Sequence, residues 1–325
     1  MVVQISILAK ISGNVNADEV VGTRITLKKM YSSGGEVLPF VSARAIKRAI
    51  RDALKQRGFD IDPFVWDPQA AETLKLRDSG DPIKYIDNDL FGYMVTIGRG
   101  ETARRRQAPI ALSYLKALRD TPIKAEFAAR FPREGEKEQN PIPFEVEVAE
   151  FTGRLNCLIY DNVGRFEPSE LVEKESELER KIRELKEKGE IEVKRKKEGN
   201  REQEVIELKK EKRIKRLSAF LEIFLTPSYV LPRRTNSLNI PEYIVALIAL
   251  SRSPAPIYSY LDYDFTKSAV NEEKLRKLVA DDLIRKLVHK FLLVDYFGRI
   301  PDIDGIEKVS VTQAISEIIS FYFRE

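Results

Sequence analysis

Arg44, Lys47, Arg48, Arg51 and Lys55 recur at helical spacing, Arg57 follows them, and Asp52 is the only acid in the group. A stripe of one sign performs no covalent chemistry, but it can hold a polyanion by its phosphates. A merely solvated face usually mixes signs, as this chain does elsewhere. Upstream lie Lys10, Asn14, Asn16, Arg24, Lys28 and Lys29, close to Gly13, Gly22 and the pair Gly34-Gly35. Glycines let backbone come close to phosphate, and the cations neutralise it. Such a loop alone would also fit a lysine-rich surface; the neighbouring stripe favours phosphate contacts.

Little else suggests chemistry. His289 is the only histidine, with no partner suggested by the sequence, so a histidine dyad is not expected. There is no phosphate-binding glycine loop and no metal-ligand spacing, so no cofactor is expected. Asp18 and Glu19 could together hold Mg²⁺ beside a phosphate, although carboxylates in a basic loop more often serve as salt-bridge partners. Cys157 is the single cysteine, which excludes an internal disulfide and fits a reducing cytoplasm.

These residues need elements to position them. Val3, Ile5, Ile7, Ala9 and Ile11 alternate with Gln4, Ser6 and Lys10, Leu8 being the exception. This period of two predicts a strand with one buried face and one available face. For the helix behind the basic stripe, Pro39 breaks the preceding chain, Ser42 is the N-cap and Gly58 the stop, with Ile46, Ala49, Ile50, Ala53 and Leu54 buried. The stretch 59–89 reads as a loop-rich insertion with a short helix near Ala70 to Leu76. Arg104, Arg105 and Arg106 follow Gly98 and Gly100 and precede Pro109, which predicts a mobile cationic loop. From Pro143 to Phe166 the pattern predicts paired strands, the first through Phe144, Val146 and Val148 and the second from Leu155 to Tyr160.

The segment 171–215 is the most polar, and its spacing predicts a helix followed by a β-hairpin about Gly199-Asn200, with signs mixed as on a solvated surface. A core helix follows through Leu217, Leu221 and Phe224. Prolines 227, 232 and 241 then forbid regular structure around Tyr229, Val230, Leu231, Arg233 and Arg234. Further helices are expected from Pro241, from Asn271 to about Lys290, and from Ser310 to the chain end. Tyr258, Tyr260 and Tyr263 fit base stacking, though more often such tyrosines pack in a core.

At 325 residues, 43% hydrophobic and 33% charged, the chain can build a large core, and a net charge of +4 says less than the distribution of that charge. The chain start has no signal-peptide pattern and the apolar stretches are short, so a cytosolic protein without membrane contact is expected.

The run GNVNADEVVGTRITLKKMYSSGGEVLPFVSARAIKRAIRDAL, from Gly13 to Leu54, resembles the N-terminal signature of the DevR branch of the Cas seven family, the repeated backbone subunit of type I CRISPR Cascade complexes. DLFGYM (Asp89 to Met94), RRRQAPIALSYLKAL (Arg104 to Leu118) and the segment from Leu217 through Pro241 add to the resemblance in the same order; the charged segment 171–215 does not.

The resemblance implies an α+β protein: a single elaborated RRM-like (ferredoxin-like) core with insertions at about 59–89, 167–215 and 226–241, the last thumb-like and reaching over the RNA to displace a base. It implies a non-enzymatic subunit of a type I complex of subtype I-B. Copies of it would line up along the CRISPR RNA and present that guide to target DNA, beside Cas five and Cas eight family subunits and a helicase-nuclease. The expected RNA contacts are Lys10, Arg24, Lys28, Lys29, Ser42, Arg44, Lys47, Arg48, Arg51, Arg104, Arg105, Arg106, Arg233 and Arg234. Two other readings are a type III-like metal-dependent RNA endonuclease using Asp18, and a DevR-type transcriptional regulator. No helix-turn-helix is apparent to favour the second.

Overall fold

The computed structural model describes residues 1–66, 76–96, 103–131, 140–172, 175–198, 201–232 and 238–324. The chain opens with β1 (Val2–Gly13), the hairpin β2 (Ala17–Val21) and β3 (Arg24–Leu27), then β4 (Lys29–Tyr31), β5 (Val37–Val41) and α1 (Ala43–Gln56). After α2 (Ile86–Phe91) come the short pair β6 (Tyr93–Val95) and β7 (Arg104–Arg106), then β8 (Leu115–Ala117), β9 (Lys124–Arg130) and the long β10 (Ile142–Tyr160). Next are α3 (Glu175–Glu187), the hairpin β11 (Ile191–Glu198) and β12 (Arg201–Leu208), and α4 (Lys210–Leu225). The chain finishes with β13 (Glu242–Ser251), α5 (Glu272–Ala280), α6 (Asp282–Leu287), β14 (Val288–Asp295), β15 (Glu307–Lys308) and α7 (Val311–Tyr322).

It is an α+β protein built on one large mixed sheet, ordered β15-β14-β13-β1-β10-β8-β5-β4. Neighbours along this path are antiparallel except β14 and β15. The alternation in β1 sends Val3, Ile5, Ile7, Ala9 and Ile11 into a core beneath α1, α4 and α7, against Ile46, Ile50, Phe220, Phe224 and Ile318. Each of the valine, isoleucine and phenylalanine side chains, fully buried, contributes about 1.5–3 kcal/mol. The other face of β1 is not free as expected. Leu8 joins a second core with Val245, Leu247, Ile257, Leu261, Leu275 and Leu278. Gln4 is buried beside it, its amide donating to the Ala255 carbonyl at 2.8 Å and accepting from the Ala255 amide at 2.6 Å. Leu8 therefore breaks the alternation because a second layer covers its side of the sheet, and of that side of β1 only Lys10 and Ser12 reach solvent.

The helix α1 forms as expected, with Ser42 Oγ accepting the Ala45 amide at 3.2 Å. The charged insertion is a helix and a hairpin, packed through Leu178, Ile191, Ile206 and Leu208 on Phe166 and Ile83. Several expectations are corrected. The two strands expected between Pro143 and Phe166 are one strand, β10, bordered by β1 and β8 in one part and by β9 and β3 in the other. The helix expected after Pro241 is β13, whose apolar run is buried on both faces; a short run of that kind cannot be told from a helix by periodicity. The long helix expected from Asn271 ends at Ala280, and Asp281 caps a short second one by accepting from Leu283 and Ile284. His289 thus sits on a strand, its ring stacked 5.9 Å from Phe321. Most of the short helix expected near Ala70 to Leu76 lies outside the described residues. Among the described residues no helix is long and apolar enough to cross a membrane.

Candidate nucleic-acid interface

The apolar stripe of α1 faces the core, which leaves its basic stripe outward. The cations of that stripe differ in how free they are. Arg44 is exposed and has no acidic partner among the described residues. Lys47 is half-buried, its ammonium 5.4 Å from the centre of the Phe91 ring, and burial followed by the charge of Arg51 lowers its pKa from the usual lysine value. An unpaired ammonium held this way is a site that an arriving anion would stabilise. Arg48 pairs with Asp52 at 3.1 Å on the open surface, a bond that contributes only about 0.3–0.5 kcal/mol and exchanges readily for phosphate. Arg51 instead meets the fully buried Asp87 at 3.0 Å and lies over the same Phe91 ring, so its first task is to hold α1 to α2. Ser42 caps the helix, whose first turn carries no acid that would repel phosphate.

The loop cations face the protein's own carboxylates. Lys10 meets Glu150 at 3.1 Å, Arg24 meets Glu145 at 2.5 Å, Lys28 meets Asp18 at 3.2 Å and Lys29 meets Glu147 at 2.9 Å. Burial pushes the Glu147 carboxyl up, but the Leu27 amide and Lys29 outweigh it and hold the group below the usual range. Asn14 and Asn16 are buried in the turn after β1, where Asn14 donates to the Glu147 carbonyl at 2.7 Å. Lys10 lies on the face of the sheet away from α1, on the same side as Leu8. The single ladder of cations beside β1 is therefore two groups on opposite sides of the sheet. Asp18 is exposed and answers Lys28, and among the described residues no three acidic, histidine or cysteine side chains cluster as a metal site would require.

Arg104, Arg105 and Arg106 are not a loop but the strand β7, paired with β6. Arg105 is exposed; Arg104 donates to the Ser169 carbonyl at 3.3 Å. Arg106 is 3% exposed and bonds Asp89 at 2.7 Å and Glu170 at 2.9 Å, with its guanidinium 4.6 Å over Phe166. As an RNA contact Arg106 is corrected: strand pairing alternates the side chains, and the inward one is enclosed. Gly92 makes room for it, since a Cβ at that left-handed position (φ 67°) would come within 2.3 Å of the Arg106 carbonyl oxygen. In the thumb-like segment Tyr229 and Leu231 are also core residues, and the Tyr229 hydroxyl lies 2.7 Å from that of Tyr243. Of the three apolar side chains Tyr229, Val230 and Leu231 in that segment, only Val230 is exposed. Arg233 and Arg234 lie outside the described residues.

Four residues not singled out in the sequence stand together on the sheet face away from α1. The Phe40 amide donates to the Lys28 carbonyl at 3.1 Å, Phe40 lies opposite Lys116, and Lys116 opposite Arg154. Tyr114 stacks on Phe40 with ring centres 5.1 Å apart and planes 19° from parallel. Arg154 donates to the Leu261 carbonyl at 3.0 Å. The alternation of Thr152, Arg154 and Asn156 along β10 was visible in the sequence, but the cross-strand register that gathers the row was not.

Fold and surface together define a class: an α+β sheet protein whose cations lie along a helix and across a sheet, suited to a phosphate polymer. The sequence model of CRISPR-associated negative auto-regulator DevR/Csa2 matches residues 46–270, more than half of the chain, and the protein belongs to that DevR/Csa2 family. The match starts within α1, so it takes in the later resembling runs and leaves most of Gly13 to Leu54 before it. No curated protein sequence matches significantly. Among solved structures, a chain titled CRISPR RNA-guided surveillance complex superposes with a TM-score of 0.56 at 13% identity, covering 99% of this chain and 100% of the other. A chain from a structure titled CRISPR RNA-guided surveillance complex, pre-nicking, gives the same TM-score at 11% identity, again over 99% of this chain and 100% of the other.

Proposed function

We propose that this protein is a CRISPR RNA-binding backbone subunit of a Cascade-type surveillance complex, of type I and subtype I-B. In this reading copies of it align along the guide and hold it for pairing with target DNA, in the cytoplasm and beside Cas five and Cas eight family subunits and a helicase-nuclease. The observation that carries the reading is membership of the DevR/Csa2 family across residues 46–270.

The physical part rests on α1. Arg44 and Arg48 present charge outward with little internal competition, Lys47 adds a half-buried ammonium beside them, and contacts to phosphate alone give affinity without preference for sequence. A carrier of many different spacers needs that property. Lys10 and Lys28 would contribute by exchanging the exposed Glu150 and Asp18 for phosphate, Arg24 from the half-buried Glu145, Lys29 through the hydrogens it does not give to the buried Glu147, and Arg105 from its own strand. The core is ferredoxin-like in this reading: β1, α1, β8, β10, α4 and β13 follow one another, and their strands lie in the order β13-β1-β10-β8, as a split β-α-β unit requires. The whole chain then forms one elaborated domain.

The role is proposed as non-enzymatic. Metal-dependent cleavage through Asp18 is less favoured because Lys28 neutralises that carboxylate. A preparation that cuts complementary RNA with Mg²⁺, and stops cutting as Asp18→Ala, would reverse this ranking. The family's description as a negative auto-regulator supports a second reading as a transcriptional regulator, which a footprint on one promoter would establish. Electron microscopy of the protein purified with co-expressed guide RNA separates these readings. A helical filament of repeated copies supports the backbone role, whereas a monomeric nuclease or a dimer on DNA contradicts it.

A further inference from the structure

On the side of the sheet away from α1, the row Lys28, Phe40, Lys116 and Arg154 runs across neighbouring segments of the sheet, and an exposed ring is stacked on its Phe40. Tyr114 is 49% exposed although its inner face is stacked on Phe40. The near-parallel packing fixes the ring and leaves its outer face to solvent. Lys116 is exposed without an acidic partner among the described residues, and Lys28 is held only by the exposed Asp18. The surroundings of the ring are polar: Ser113 hydrogen-bonds the Tyr114 carbonyl, and Asn156 is half-buried next to Ser6.

We infer that Tyr114, seated on Phe40 and flanked by Lys28 and Lys116, is a stacking platform for a base of single-stranded nucleic acid. The core of a protein interface is depleted of lysine and serine, and Lys28, Lys116 and Ser113 stand around this ring. A nucleic-acid strand requires what is present: a rigid π-face for the base and ammonium groups at either side for the phosphates that flank it. Every base has a π-face, so the platform is tolerant of sequence. The proposal shares its polymer class and Lys28 with the function proposed above, but it is centred on Tyr114 and Lys116, on the side of the sheet opposite α1, so either can fail alone.

The test uses the full chain and a short single-stranded oligonucleotide containing 2-aminopurine, whose fluorescence falls when the base stacks on an aromatic ring. Wild type quenches the probe at saturation, and so does Tyr114→Phe. Tyr114→Ala loses the quenching and binds at least about fivefold more weakly, the lower end expected for one base on one ring. Lys116→Glu weakens binding but keeps the quenching at saturation. Arg44→Glu with Lys47→Glu leaves the quenching intact and weakens the guide RNA instead, which distinguishes the two surfaces.

Absence of quenching in wild type, or equal quenching by a folded Tyr114→Ala, overturns the inference. So does a Tyr114→Ala variant that changes only sedimentation, which would make the face a contact between proteins. If Tyr114→Ala does not fold, photo-crosslinking of 4-thiouridine RNA to wild type decides: a crosslinked peptide containing Tyr114 supports the platform, and crosslinks elsewhere only overturn it.

Discussion

Arg106 and Asp89 meet at 2.7 Å with neither side chain reached by solvent. Asp89 also accepts from Arg216 at 2.7 Å and from the Gly164 amide at 3.0 Å, so one carboxylate ties β7, α4 and the turn after β10 together. Removing Arg106 would take one of two arginines from the buried Asp89 and the arginine from Glu170. Arg106→Ala is expected to cost about 3–5 kcal/mol of stability, against less than about 0.5 kcal/mol for the exposed Arg105→Ala. Urea unfolding of both variants checks this, and a small loss for Arg106→Ala would show that the arginine is not needed there.

The thumb-like segment gives a second contrast. Tyr229 is buried with its hydroxyl on Tyr243, while Val230 next to it is 47% exposed. Tyr229→Ala should destabilise the protein by about 3–5 kcal/mol, as large-to-small changes of buried aromatics do. Val230→Ala should leave the thermal midpoint nearly unchanged. If the two behave alike, the segment is not anchored as described.

Glu147 predicts a pH dependence. Its carboxyl is held below the usual range in the folded protein, the Leu27 amide and Lys29 outweighing the effect of burial. A lowered folded pKa means that its contribution is complete above the unfolded value and is lost as pH falls through the folded one. Stability should therefore decline from about pH 5 downward, and Glu147→Gln should be weaker at pH 7 with a shallower acid limb. Urea midpoints at a series of pH values test it; parallel curves for the two proteins would contradict it.

Local signals were legible where one element decides its own shape. Ser42 and Gly58 marked α1, and the spacing about Leu178 with the hairpin residues about Gly199 marked the charged insertion. Legibility failed where tertiary packing decides. Leu8 looked irregular until a second layer was seen on its face, and the run from Tyr243 to Leu250 suits either a helix or a strand until β1 and β14 border it. The site was legible as composition and not as arrangement. Charge could be counted along the chain, but Lys29 meets Glu147 from 118 positions away and Arg106 meets Glu170 from 64 positions away. The platform at Tyr114 depends on register between β5 and β8, which no spacing within either strand reveals.

In the proposed function the outward face of α1 grips a guide by phosphate alone. The most direct measurement is the affinity of wild type and of Arg44→Glu with Lys47→Glu for two RNAs of unrelated sequence across a range of salt. Both RNAs should weaken by the same factor, and the slope of log affinity against log salt should flatten by about one to two. An unchanged slope, or a loss confined to one of the two RNAs, would contradict it.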